Sequence, residues 1–492
     1  MAGILEITET DGVNDGQAVF GPVPVDQVHQ NGIWQITNQG NASVNITLAF
    51  LEGTSFQCAG SGSIIIAPGM SHSVEVLFDP VAPHAITDTI TLRADDLDST
   101  TLSVNLTGDA YAWVTAGNPY KFADHTGDLV TISVTGSAQV HVTTGTEDQP
   151  DIQTIEVVAG SSTDKLNIKV RGSGTTYLGE IIGANSLGAI NAKNVDLIGA
   201  GIDLEGTLQK LSLGSVLGGA DISFAADRPV DVNVNQIIGD SDINIAGPVG
   251  SFAAHHFLHG SFQADSVTKM HINGHLNADV QVNGNLDELV VCQGNLNGNL
   301  NVNGVMGKVS VREGDILGSI NAADDIHQIV VQKGTIGGTV KSGAVINKII
   351  AQNISGAGLY ARTAIEQINV QYDMRHSLVT VGYDDQAAHN QSAAALSEID
   401  AYISSLKVKG IFRDSTIAVG VAPDDQGNFI NGRAHTKSGT IENLFLRQVD
   451  TNNGTDPFGV VAQDKIGTLR VNEQVLGYNY HQDDFFITVI DQ

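Results

Sequence analysis

Down the middle of the chain, apolar positions return at intervals of twenty residues. Leu286, Met306, Ile326 and Ile346 fall in one column, Leu289, Val309, Ile329 and Ile349 in a second, and Val291, Val311 and Val331 in a third. Glycines keep the same step at Gly294, Gly314 and Gly334 and at Gly298, Gly318 and Gly338, with Leu296, Ile316 and Ile336 between them. Within each repeat the apolar residues alternate over short runs, the period of a strand and not of a helix. Such a repeat buries little by itself and must stack each apolar residue on its counterpart one repeat away. The pattern predicts an all-β chain whose residues 166–383 form a parallel β-helix (β-solenoid) of about 20-residue coils, the looser ones beginning near Leu166, Gly188, Gln209, Val230, Gly250 and Thr268. About ten coils at ~4.8 Å each predict a stack on the order of 50 Å long. Its open ends require caps.

The flanks follow other rhythms. Over residues 1–110, segments such as GIWQITNQG, SVNITLAFL, SIIIAPG, HSVEVLFDP and LSVNLTGDA alternate apolar and polar residues between Gly, Asn, Pro and Asp turns. Some seven short strands of this kind predict an N-terminal antiparallel Ig-like β-sandwich. Residues 111–165 read as a β-rich connector or cap of the solenoid, and residues 384–492 as an irregular continuation with a C-terminal cap. The run AAHNQSAAALSEIDAYI, with Ala393, Ala394, Ala395, Leu396 and Ile399, predicts a short helix or an inserted loop. The terminal segments GILEITET and DDFFITVIDQ read as strands with no evident partner inside the chain, suited to capping or to pairing with another chain's edge.

Composition narrows the picture. Aromatic residues make up 5% of the chain against 55 glycines, so the interior is expected to be stacked Val, Ile, Leu and Ala rather than large rings. The formal charge of −30 argues against nucleic acid and anionic membrane surfaces, which need clustered Lys and Arg. It suits a soluble extracellular protein or one that holds cations. The two cysteines, Cys58 and Cys292, lie in different predicted domains, so no structural disulfide is expected between them. No run of eighteen apolar residues predicts a membrane span. The segment MAGILEITETDG lacks the basic and long apolar regions of a signal peptide; a processed chain, another export route and an intracellular protein all remain open.

Two resemblances add to this reading. Asn38 and Gly40, then Ile66, Pro68 and Gly69, then Val74, Val76, Phe78 and Pro80, then Thr89, Leu92 and Asp95, then Val104 to Gly108 follow the order found in immunoglobulin-like domains of the choice-of-anchor D and Hydin-like type. The resemblance covers about residues 15–110 and implies a non-catalytic module that binds partners or spaces other domains. YKFADHTGDLVTISVTGSAQV and the segments near 186–216 and 404–429 resemble bacterial β-strand-repeat surface proteins, which implies an exported surface or matrix protein. Those proteins carry a D-x-D-G-D tract. Here Asp124, Thr126, Gly127 and Asp128 occupy it, with Thr126 in place of the central aspartate, so one hard oxygen charge for calcium is lost.

Further candidate chemistry is sparse. Asp424, Asp425 and Asn428 surround the turn glycine Gly427, with Asp414 one strand earlier, an oxygen-rich set for calcium that lacks the alternating spacing of an EF-hand. His255, His256, His259, His271 and His275 cluster; stacking of adjacent coils would bring members together, either as a transition-metal site or, the reading favoured here, as an outward polar ladder. Glu313 and Lys333 fall one repeat apart and are expected to pair, beside the column Asn295, Asp315, Thr335. Polysaccharide lyases and glycosidases need carboxylates converging on one groove, and Arg312, Glu313 and Asp315 are the densest charged group, diluted by Cys292, Gln293, Asn295, Gln332, Lys333 and Thr335 in the neighbouring coils. No G-x-S-x-G, H-E-x-x-H or P-loop pattern occurs.

The expectation is an extracellular structural protein, a self-assembling subunit of a surface layer, filament or matrix whose partner is another copy of itself. An adhesin or carbohydrate-binding appendage is the alternative and would show an exposed aromatic row; with Trp34 and Trp113 outside the solenoid, none is evident there. A β-helix enzyme acting on polysaccharide ranks third.

Overall fold

The computed structural model describes the whole chain except residues 1–4, 10–16, 26, 51–54, 60–62, 95–100, 146–150, 384–397, 452, 453, 455, 473, 477, 478 and 492. The described residues form strands, turns and bends without a helix. Two compact units divide the chain, Met1–Asn185 and Ser186–Gln492.

The first unit begins as an antiparallel sandwich of the Ig-like kind. One sheet carries Leu5–Glu9, His29–Asn38, Ser71–Phe78 and Phe56–Ala59 in that order. The facing sheet is built from Gln17–Pro24, Thr101–Thr115, Ile86–Ala94, Val44–Phe50 and Ser63–Ile66. Alternation in the sequence places Val74, Val76 and Phe78 inward from one sheet and Val104, Leu106 and Ile90 inward from the other. Phe20, Phe56 and Phe78 meet there with ring centroids 4.7–5.6 Å apart. Gly108 admits this cluster, because a Cβ at that position would strike the Phe78 ring. Asn38 explains its place in the resembled motif. Buried, it donates from Nδ2 to the carbonyls of Ala42 and Ile66 and accepts from the Gly40 amide, tying two turns to one sheet edge. Beyond the sandwich, Gln139–Thr144 pairs antiparallel with Thr101–Thr115 and with Ile152–Ala159. Lys165–Arg171, at the expected first coil, pairs antiparallel with Leu129–Val134, while Ile152–Ala159 and Thr176–Gly183 on either side of it in sequence already pair in parallel.

In the second unit successive repeats pair in parallel. Leu286, Met306, Ile326, Ile346, Ile365, Ile403, Ile441 and Ile466 form one unbroken column of register partners, all fully buried. A second ladder runs from Asp279–Val282 through Leu300–Val302, Ile320–Ala322, Thr339–Ser342, Gly358–Ala361, Leu378–Val381, Thr416–Val419 and Phe458–Ala462 to Phe485–Val489. A third is narrower, with single bridges joining Leu276, Leu296, Ile316 and Ile336. The repeated glycines follow from this stacking: a Cβ on Gly318 or Gly338 would overlap the carbonyl oxygen of Gly298 or Gly318 in the preceding repeat.

Two expectations need correction, and a third falls largely outside the described residues. The interior is not ring-free: Phe252, Phe257 and Phe262 form one buried group and Phe412, Phe458 and Phe485 another, both where the twenty-residue step is irregular. Of the segment expected as a short helix or an inserted loop, residues 387–397 lie outside the described residues, and Asp400–Ile403 open a strand. That strand, Asp400–Arg413, pairs 38 positions from Ala364–Val370, so the ladder continues across an insertion. Finally, both terminal strands have partners within the chain. Leu5–Glu9 pairs with His29–Asn38, and Phe485–Val489 lies between Phe458–Ala462, parallel, and Tyr480–Gln482, antiparallel. The neighbouring ladder ends likewise, Lys465–Val471 turning back onto Gln474–Val475. These antiparallel closing strands pair with Arg470 and Val471 on one ladder and with Phe485 to Ile487 on the other, covering part of the edges that would otherwise template further pairing.

Candidate functional site

The polar residues of the repeats have one dominant task. Where the backbone bends between ladders, its N–H groups lose their in-line carbonyl partners, and side chains one repeat back supply acceptors. Asn295 Oδ1 accepts from the Asp315 amide at 3.0 Å, and Asp315 Oδ1 accepts from Thr335 at 2.7 Å. Asn285 does the same for Val305, Asp325 for Val345 and Asp279 for Asn299. The histidines extend this series. His256 Nδ1 accepts from the His275 amide and His275 Nδ1 from the Asn295 amide, each at 3.1 Å, with the two rings stacked 6.0 Å apart. A ring accepting at Nδ1 carries its proton on Nε2 and has no lone pair left for a metal. These rings are rungs of the ladder. His271 goes elsewhere, its Nε2 lying 3.4 Å from Cys292 Sγ; burial first, then the charges of Lys269 and Arg312, hold it below the ordinary histidine range.

The acidic group foreseen in this region is likewise occupied. Glu313 pairs with Lys333 at 2.5 Å, as the column predicted, and that hydrogen bond lowers its pKa. Asp315 serves as a rung, so the two carboxylates do not converge on a groove. Cys58 and Cys292 are both free thiols, and burial pushes Cys58 up to about 11.

The expected calcium ligands are engaged by the protein itself. Burial raises the Asp124 carboxyl, but hydrogen bonds from the Thr176 and Thr126 hydroxyls and from the Asp128 and Thr126 amides outweigh it and hold the group below the usual carboxylate range. Asp128 accepts from the Gly174 amide. Asp424 caps its own turn, accepting from Gln426 and Asn428; Asp425 pairs with Arg433 at 2.7 Å; Asp414 pairs with Arg413 and lies 3.5 Å from His376. Among the described residues no group of three or more His, Cys, Asp or Glu is placed to hold a metal ion. In another acidic turn, of Asp483 and Asp484, Asp483 accepts from the Thr451 hydroxyl.

No family model and no curated protein matches this chain. Among solved structures it is similar to the ASH / PapD-like domain of human CEP192, with 16% identity over 22% of this chain and 85% of that one and a TM-score of 0.19. It is also similar to the E. coli chaperone DraB (10% identity, 29% and 82% covered, TM-score 0.17) and to the YadV chaperone (10% identity, 35% and 86% covered, TM-score 0.17). Likenesses this slight bear on no site.

Two constellations in the first unit were not foreseen. His125 hydrogen-bonds through Nδ1 to Asp151 at 2.8 Å and stacks on Tyr177, while Asp151 also accepts from the amides of His125 and Tyr177. The cleft beside them is lined, among the described residues, by Phe122, Ala123, Asp124, His125, Thr144, Gly145 and Asp151. The other is a row of rings. Tyr111 and Trp113 project from one face of Thr101–Thr115, and His141, register partner of Trp113, stands beside both, 3.9 Å from the Tyr111 ring and 4.8 Å from Trp113. Glu156 on the next strand accepts from His141 Nδ1 at 3.1 Å. The i, i+2 spacing of Tyr111 and Trp113 was visible in the sequence; their histidine partner depends on a strand pairing that was not.

Proposed function

We propose that this chain is a non-catalytic structural protein of an extracellular surface layer, filament or matrix. In this reading residues 186–492 are a parallel β-helix, and the first unit carries an Ig-like module of the choice-of-anchor D and Hydin-like type. The carrying observation is the unbroken column from Leu286 to Ile466, with polar side chains spent on holding each repeat to the last. A wall whose carboxylates and imidazoles serve as rungs suits a stiff spacer better than a hydrolase. The resemblance to bacterial β-strand-repeat surface proteins supports placement outside the cell.

The partner in this proposal is a second copy of the chain. Assembly does not use the C-terminal strand, which is paired on both edges. Leu5–Glu9, at the end of its sheet and paired along one edge, is the suited contact. Negative-stain electron microscopy of the purified chain, with calcium and with chelator, tests this. Ordered filaments or sheets are expected in both, and dispersed particles after deletion of residues 1–9. Dispersed particles of the intact chain in both conditions would overturn the assembly role, and release of product from an acidic polysaccharide would overturn the non-catalytic one.

A further inference from the structure

We propose that the ring row on Thr101–Thr115 and Gln139–Thr144 is a binding surface for a neutral glycan. Many phenylalanine side chains of this protein are spent on cores; Phe20, Phe78, Phe252, Phe257, Phe262, Phe412, Phe485 and Phe486 are fully buried. Trp113 is 41% exposed, although a tryptophan left open to water forgoes the burial that makes it worth keeping. It is not an isolated exposed residue. Tyr111 lies 6.1 Å away on the same strand face, and His141 fills the angle between them, contacting both rings. The three rings therefore support one another, so little side-chain freedom remains to be lost when a ligand arrives.

The polar groups beside the rings select the ligand class. Glu156 gives one carboxylate oxygen to His141 Nδ1 and keeps a side chain 52% exposed, with lone pairs left for further donors. One strand further, Glu180 accepts from the Thr154 hydroxyl. A sugar ring presents a face of C–H groups that packs on an aromatic ring and a rim of hydroxyls that donate to a carboxylate; the row offers both, side by side. A ligand with its own carboxylates or sulfates would meet Glu156, Glu180 and a chain of net charge −30. The geometry thus points to an uncharged oligosaccharide lying across Trp113 and Tyr111 with hydroxyls toward Glu156.

The test is isothermal titration calorimetry of the full chain with soluble hexasaccharides of β-1,4-linked glucose, β-1,4-linked N-acetylglucosamine, β-1,4-linked mannose and α-1,4-linked glucose, with oligogalacturonate as the anionic comparison. Saturable binding of at least one neutral hexasaccharide is expected. Trp113→Ala should weaken it at least about tenfold, as truncation of a central aromatic contact does, and Tyr111→Ala should weaken it as well, both with unchanged circular dichroism. Glu156→Gln keeps shape and exposure and carries the test should Trp113→Ala misfold; it should weaken binding by a smaller factor. Absence of binding across the neutral panel, binding of oligogalacturonate alone, or binding that survives all three substitutions would each overturn the proposal. Filament formation is read separately, so this surface and the structural reading stand or fall independently.

Discussion

In the sandwich three phenylalanine rings, Phe20, Phe56 and Phe78, are wedged among aliphatic side chains between two sheets. In the repeats from Leu286 to Ala351 there is no phenylalanine, tyrosine or tryptophan, and the interior is Leu, Ile, Val, Ala and Met in columns. The rings fix one arrangement by shape, and removing one disturbs every neighbour at once. The columns are chemically uniform and would tolerate slippage, since one isoleucine stacks on the next almost anywhere. Register in the repeats is therefore held from outside the core, by Asn and Asp rungs and by glycines that admit no side chain. Aliphatic stacking supplies the stability and the corners supply the address.

Perturbations should separate these two designs. Phe78→Ala should have the largest effect, about 3–5 kcal/mol off the sandwich, seen as an earlier denaturant transition of the first unit while the second unit's transition stays in place. Gly318→Val should cost the repeats roughly 1–3 kcal/mol, because the new side chain meets the Gly298 carbonyl. Hydrogen exchange should locate the damage in the adjoining repeats, and a loss spread evenly over the second unit would mean that repeats do not act as neighbours.

Acid should act on fewer bonds. The His256 ring is held below the ordinary histidine range, first by burial and then by the charges of His255 and His275. The unfolded chain then takes up its proton near pH 6.5 while the folded ladder resists, so stability is full above about pH 6.5 and declines as pH falls toward the depressed folded value. After correction for intrinsic rates, the amide of His275, which donates to His256 Nδ1, should lose exchange protection as pH falls below about 6.5. The Asp315 amide, capped by the non-titrating Asn295, should keep its own. Glu313→Gln should change least, because the pair with Lys333 is exposed; thermal unfolding should be unmoved within error, and a marked drop would show that charge and not the backbone rungs holds this face.

The sequence disclosed the repeats well because each repeat restates the rule: twenty-residue columns led directly to the partners Leu286, Met306, Ile326 and Ile346, and to the Glu313–Lys333 pair. It disclosed little where a single long-range pairing decides the outcome. The antiparallel closing strands at Gln474–Val475 and Tyr480–Gln482 are too short to carry a period, and the phenylalanine groups sit where the step changes. A carboxylate in a turn suits calcium by composition, yet Asp124 and Asp424 spend their oxygens on amides of their own loops, as Asp in turns commonly does. Trp113 and His141 lie far enough apart in sequence that only their strand pairing makes them a surface.

The most direct test of register is a cysteine cross-link one repeat apart. In a chain carrying Cys58→Ser and Cys292→Ser, Lys308→Cys and Gln328→Cys replace register partners that face outward on adjacent repeats. Their separation of ~4.8 Å falls within disulfide reach, so mild oxidation should join them quantitatively, as read by mass spectrometry. Lys308→Cys with Lys348→Cys, two repeats and roughly 9.6 Å apart, should stay reduced. A 308–348 link that forms as readily as 308–328 would contradict parallel, in-register stacking.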